Sequence, residues 1–282
     1  MEYGMRCKPW MAVLILCLAG ATGAALAGAG DHLAGTTERI RSGAGTQRLI
    51  LLGETHGTRE TPGLIAALVA VYAAEGPVLL GLEMPRSEHV ALSRYLASHG
   101  SDAARAAVRA TPFWTVGDDQ HDGRRSEDML DLIETLRALR GSGRDVAVLP
   151  YDVERSFVQT SRDARDLAMA SRVRDAYAAL PRGRLLVLGG NVHAMLRKPT
   201  PAPAQMQVPM GEQLLDLMPY SVRIDANAGH SWACMTPCGP LPVTPNALQD
   251  GAPSGMFAQS YHLQVVLPRF TVARLLGAAP PH

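Results

Sequence analysis

Four short apolar runs recur along the chain without an interrupting charge: Leu49-Ile50-Leu51-Leu52, Val78-Leu79-Leu80-Gly81-Leu82, Val146-Ala147-Val148-Leu149 and Leu185-Leu186-Val187-Leu188. Runs that are apolar at every position, rather than at alternate ones, predict parallel strands buried on both faces. Helical periodicity fills the stretches between them. Residues 64–74 are apolar on nearly all sides, with Pro62 suited to a first helical turn. Residues 87–109 predict two helices split near Gly100-Ser101-Asp102, with Ser101 as an N-cap. Ser126 opens a stretch with Met129, Leu130, Ile133, Leu136 and Leu139 at amphipathic spacing, and residues 161–180 repeat the pattern. The order βαβαβαβ implies right-handed crossovers and an α/β fold, a mostly parallel central sheet flanked by helices. Past Pro199 a Met- and Pro-rich run leads to β-like stretches at 221–226, 231–235 and 261–267. These are expected as antiparallel C-terminal strands at one edge of the sheet.

Each apolar run leads into an ionisable group. The first enters Gly53-Glu54-Thr55-His56-Gly57, the second ends in Glu83, the third passes Pro150 and Tyr151 to Asp152, and the fourth passes Gly189-Gly190-Asn191 to His193. Parallel strands share one carboxyl edge, where open α/β sheets bind ligands, so Glu54, His56, Glu83, Asp152 and His193 are expected to converge. Taken singly, Asp152 reads better as a helix cap. Arg59 and Glu60 either line the same cleft or cap the next helix. The loop 111–125 carries Asp122 and Arg124, which would face the strand ends if the loop forms a lid. Tyr151 is either core or a ligand contact.

An imidazole flanked by carboxylates acts as a general base on water, because the carboxylate sets its tautomer and supports the imidazolium. Glu54, His56 and His193 equally form a metal-ligand set, so metal-free and metal-assisted hydrolysis both stand at this stage. No Gly-x-Ser-x-Gly elbow and no Gly-rich phosphate loop is present, which leaves serine-nucleophile and nucleotide chemistry without a motif.

At 282 residues the chain suits one large domain, assigned to 28–282. Residues 1–27 read as a secretory signal: Arg6 and Lys8, an apolar stretch from Trp10, then Ala25-Leu26-Ala27 as a cleavage pattern. Cys17 follows Leu14-Ile15-Leu16 and so lacks the small residues that precede a lipidation cysteine, which predicts a periplasmic or secreted product with no stable membrane anchor. The remaining pair, Cys234 and Cys238, is expected to form a disulfide. Basic and acidic residues number 27 and 26, a balance that offers no polybasic surface for nucleic acid. Arg162-Asp163-Ala164-Arg165-Asp166 alternates in charge and reads as a solvated helix face.

The combination of Gly53-Glu54-Thr55-His56-Gly57 with Arg59-Glu60, then Leu82-Glu83, then Gly190-Asn191-Val192-His193-Ala194 resembles the erythromycin esterase/ChaN-like superfamily, which includes Tiki and TraB-related proteins. The resemblance covers residues 49–198. It implies an α/β fold in which the Glu-x-His loop and the later histidine face each other across a cleft. In the esterase branch a histidine of the first motif activates water without metal, a role that falls here to His56, with Glu54, Glu83 and His193 around it. In the Tiki branch the matching residues are metal ligands for peptide hydrolysis, and the ChaN branch binds haem in iron uptake. The expected function is therefore hydrolysis of an ester or amide in a small-molecule or peptide substrate. Arg59, Glu60, Asp122, Arg124, Asp152 and Asn191 would contact that substrate. The alternative is a haem- or metal-binding protein without catalysis, with a histidine or Tyr151 as ligand.

Overall fold

A computed structural model describes residues 1, 20–115, 121–154, 164–244 and 248–276, with side chains in the first helix described from residue 32 onward. The signal-like residues 2–19, including Cys7 and Cys17, lie outside this range. Helix α1 (Gly20–Ala44) runs without a break through Ala25-Leu26-Ala27. Among the described residues no helix is long and apolar enough to cross a membrane.

Each of the four apolar runs is a strand. They are β1 (Leu49–Glu54), β2 (Val78–Pro85), β3 (Val146–Asp152) and β4 (Arg184–Gly190). With β5 (Tyr220–Ala226) and β8 (Leu263–Leu267) they build a six-stranded sheet in the order β3-β2-β4-β1-β5-β8. Every pairing in it is parallel. Two C-terminal stretches expected at an antiparallel edge, those of β5 and β8, thus join the sheet in parallel. The antiparallel pair is β6 (His230–Cys234) with β7 (Cys238–Pro242), a separate hairpin closed by the expected Cys234–Cys238 disulfide.

Successive β1 side chains alternate between two cores, which is why the run is apolar at every position. Ile50 and Leu52 pack with Leu64, Ile65 and Leu68 of α2 (Glu60–Glu75) and with Leu130, Ile133 and Leu136 of α5 (Glu127–Gly141). Leu49 and Leu51 pack on the opposite face with Met169, Ala170 and Val173 of α6 (Arg165–Ala179). Each fully buried Leu or Ile contributes on the order of 1.5–3 kcal/mol. Between β2 and α5 lie α3 (His89–Leu96) and α4 (Asp102–Arg109), and the split between them falls where the turn residues place it. Ser101 caps α4 by accepting from Ala104 N, and Ser126 caps α5 by accepting from Met129 N.

The chain leaves β1 to one side, returns in β4 to fill the gap beside it, and then continues on the other side in β5. A crevice opens at such a reversal, at the carboxyl ends of the strands. β3, β2, β4 and β1 are consecutive neighbours there, so the ends of all four apolar runs lie side by side.

Replacing Ser126 with alanine removes the buried cap of α5 and is expected to cost about 1 kcal/mol, read as a lower denaturation midpoint in urea with an unchanged slope.

Candidate functional site

The centre of the strand-end cluster is Glu83, whose side chain is 4% exposed. The β2–β3 register shifts between Leu82 and Pro85, an irregularity that re-aims the strand where Glu83 sits. Its Oε2 accepts from Gly190 N at 2.7 Å and lies 3.5 Å from His56 Nε2. Its Oε1 accepts from Arg165 Nη2 at 2.7 Å and from Arg124 Nη1 at 2.9 Å. Burial favours the neutral acid, but Arg124, His56, His193 and Arg165 together outweigh it and hold the carboxyl well below its usual range.

Glu54, the last residue of β1, holds His56 Nδ1 at 2.9 Å. Burial alone would lower the His56 pKa, yet the charge of Glu83 and the hydrogen bond and charge of Glu54 more than offset it, leaving the pKa raised. The Nε2 edge of His56 faces Gly190, where an added Cβ would lie 3.1 Å from Nε2 and 3.6 Å from His193 Cδ2. The missing side chain at 190 therefore keeps space between the two imidazoles.

His193, on the short helix α7 (Asn191–Ala194), forms a second carboxylate–histidine pair, with Nδ1 2.7 Å from Asp166 Oδ1. Its Nε2 lies 3.2 Å from Arg165 Nη1. A guanidinium only donates, so Nε2 accepts in the Arg165 contact. His193 thereby holds Arg165 in place. Asp152 takes Arg165 from the other side, with Nε on Oδ1 at 2.9 Å and Nη2 on Oδ2 at 2.7 Å. Asp152 also accepts its neighbour Val153 N at 2.7 Å, so it is both a local cap and a member of the cluster. Counting donors, Arg165 retains one Nη1 N–H beyond those committed to these partners.

The loop over the strand ends contributes Arg124, which reaches Glu83 O at 2.8 Å and is held at Nη2 by Asp122 at 2.7 Å. Burial disfavours the Asp122 carboxylate, but Arg124 and Arg125 reverse this and push its pKa down. The loop is pinned by close backbone approach. Gly57 and Gly123 both have positive φ, and a Cβ on Gly123 would lie 2.5 Å from Gly57 Cα. Trp232 of the hairpin donates its backbone N–H to Gly57 O at 3.0 Å and its indole N–H to His121 O at 2.6 Å.

Glu54, His56, Glu83, Asp152, His193, Asp122 and Arg124 are thus brought together. Asn191 is adjacent, its amide 3.4 Å from Thr55 Oγ1. Arg59 and Glu60 do not enter the cluster, a correction to the reading of them as cleft lining. The Arg59 side chain lies 3.8 Å from Asp128 of α5 while its backbone N–H donates to Thr271 O at 2.9 Å, and Glu60 Oε2 accepts Thr271 N at 2.8 Å. Tyr151 is core: fully buried, its hydroxyl donates to Leu188 O at 3.0 Å and presents no ligand to a haem iron.

Arg165 and Asp166 do not lie on the solvated face that the alternating charge predicts, their side chains being 19% and 13% exposed; Arg162 and Asp163 lie outside the described residues. The signal was legible. Asp166, Met169, Ala170 and Val173 follow the i, i+3, i+4, i+7 spacing of one helix face, and the last three are buried. A carboxylate on an apolar stripe in the first helical turn marks a buried charge with a partner.

The metal expectation for Glu54, His56 and His193 does not fit this geometry. Among the described residues no group of three or more His, Cys, Asp or Glu side chains is arranged to hold an ion. The guanidinium of Arg165 stands between Glu83 and His193, and Glu54 is committed to His56.

No protein-family model matches the sequence. No curated protein matches it either. Solved structures do match the fold. An erythromycin esterase, EreC, solved as a histidine-to-asparagine mutant in its open conformation, aligns with a TM-score of 0.61 at 13% identity, covering 85% of this chain and 94% of that one. A protein from Bacillus cereus aligns with a TM-score of 0.64 at 10% identity, over 86% and 93% of the two chains. A succinoglycan biosynthesis protein gives 0.55 at 9% identity, over 85% and 92%. The chain has the erythromycin esterase-like fold.

The His56 imidazole is expected to titrate above the ordinary histidine value of 6.5, followed by NMR, and to titrate lower in Glu83→Gln. Removing the Glu83 charge leaves burial to act against the imidazolium; an unchanged or higher midpoint would contradict the assigned cause.

Proposed function

We propose that this protein hydrolyses an ester or amide bond in a small-molecule or peptide substrate by direct attack of water, with His56 as general base. The observation that carries this reading is the Glu54–His56 pair, whose Nε2 edge lies 3.5 Å from Glu83 Oε2 and faces the side-chain-free position of Gly190. Glu54 keeps the proton on Nδ1, leaving Nε2 to accept a proton from water. Attack on the carbonyl carbon moves that proton to Nε2 and the carbonyl electron pair to oxygen. The remaining N–H of Arg165 is the donor placed for this oxyanion, and its guanidinium is held in advance by Asp152, Glu83 and His193. Collapse of the tetrahedral species returns the proton from His56 to the departing oxygen or nitrogen. The likeness to EreC in fold supports a hydrolase, while substrate identity does not carry over at this level of identity.

We further propose an exported location, periplasmic or secreted. The Cys234–Cys238 disulfide supports an oxidising compartment, and the signal-like residues 1–27 suit the same route.

Three outcomes follow for hydrolysis of an ester and amide panel. His56→Ala lowers kcat by roughly 10²–10⁴-fold with the thermal midpoint retained; full activity in this variant would remove His56 as the base. The rate rises with pH through a midpoint above 6.5, because the base works only when deprotonated and its pKa is raised. Gly190→Ala, at φ −57° and ψ 147° where any residue fits, folds normally but loses activity, because its methyl occupies the space 3.1 Å from Nε2.

A further inference from the structure

Beside the catalytic cluster lies a cavity of about 350 Å³, bounded on the cluster side by Thr55, the residue between Glu54 and His56. Its other walls come from β5, from the disulfide-closed hairpin and from the segments that follow it. Leu241, Phe257 and Phe270 supply apolar surface, and Ser231 and Gln264 add polar edges. The walls are about evenly polar and apolar, and a concave site that sets convergent polar groups beside apolar surface suits a small amphipathic guest.

Two charged side chains of β5 reach into it. Arg223 donates through Nε to Asp225 Oδ2, and its guanidinium lies over the Phe257 ring, 4.2 Å from the centroid. Among the described residues its two terminal nitrogens make no hydrogen bond, although the side chain is only 17% exposed. Asp225 is 11% exposed and shows one oxygen engaged, by Arg223. Burial pushes the Asp225 carboxyl up, and the charge and hydrogen bond of Arg223 oppose it only in part. The pair therefore presents unused donors next to an unused acceptor, held rigid by aromatic stacking.

We propose that this cavity receives one side of the substrate, and that it selects an uncharged group carrying a hydroxyl or carboxamide on an apolar body. The inference rests on the hydrolase reading above and adds the substrate class. A neutral guest donates to the open oxygen of Asp225 and accepts from Arg223 while the ion pair stays intact. A guest carboxylate adds a second negative charge beside Asp225 on a single guanidinium, and a guest ammonium adds a second positive charge beside Arg223 on a single carboxylate. Either guest leaves one charge in excess at a largely buried pair, which is costly. Charged groups are thus rejected by the same pair that binds the neutral one.

The test uses the intact protein with five 4-nitrophenyl esters: acetate, hexanoate, 6-hydroxyhexanoate, 6-aminohexanoate and the adipate monoester. Expected is a kcat/KM for 6-hydroxyhexanoate at least tenfold above both charged esters and above hexanoate. In Leu241→Trp, at a partly exposed position of β7 that tolerates a larger ring, the ratio of 6-hydroxyhexanoate to acetate falls at least tenfold. In Arg223→Gln the preference for 6-hydroxyhexanoate over hexanoate disappears. Calorimetry with 6-hydroxyhexanamide and with adipate gives a readout that needs no turnover, and the neutral probe is expected to bind at least tenfold tighter. Hydrolysis of all five esters without discrimination at the chain end, or ratios unchanged in both variants, would overturn the pocket and leave the hydrolase reading standing. Absence of ester hydrolysis, with the neutral probe bound by the native protein and not by Leu241→Trp, would overturn the hydrolase reading and support the pocket. Failure of the native protein to prefer the neutral probe would overturn the pocket whatever the ester rates.

Discussion

A single buried carboxylate, that of Glu83, is the constraint around which the strand ends are arranged. An unpaired charge at this depth would be prohibitively costly, so the fold must bring cations and N–H donors to it. It does so from four directions: Gly190 N from β4, His56 from the loop after β1, Arg124 from the loop before α5, and Arg165 from the start of α6. The three side-chain partners are each tied to a further acid: His56 to Glu54, Arg124 to Asp122, and Arg165 to Asp152. The result is a connected polar network at the strand ends. The charge that raises the His56 pKa is also the charge that positions Arg165.

The two histidines differ although both are paired with a carboxylate. His56 turns its second nitrogen toward Gly190 and Glu83 Oε2, 3.5 Å away, whereas His193 has its second nitrogen occupied by Arg165. One ring faces a carboxylate and the other holds a guanidinium. Opposite roles for similar residues follow from what lies on the Nε2 side of each.

The C-terminal third closes the site from outside the main sheet. Trp232 of the hairpin and Ala273 both donate to Gly57 O at 3.0 Å, and Thr271 pairs with Arg59 and Glu60. This explains why Arg59 and Glu60, close in sequence to His56, serve the closure of the fold and not the cluster. It also accounts for the glycines at 57 and 123, which let three backbones meet where side chains would collide.

Local pattern determined a large part of this. Unbroken apolar runs specified doubly buried strands, the alternation with amphipathic stretches specified parallel crossovers, and an ionisable residue after each run located the cluster. Ser101 and Ser126 marked their helix starts. The tertiary structure decided what depends on partners distant in the chain. β5 and β8 pair in parallel with the sheet because the segments between them pass outside it, which no two-residue periodicity encodes. Asp166 turned inward because its helix face packs on the sheet, and Arg165 followed it to reach Glu83, 82 residues earlier. Whether a given Arg or Asp is solvated or buried is a property of the surface that meets it, and that surface comes from elsewhere in the sequence.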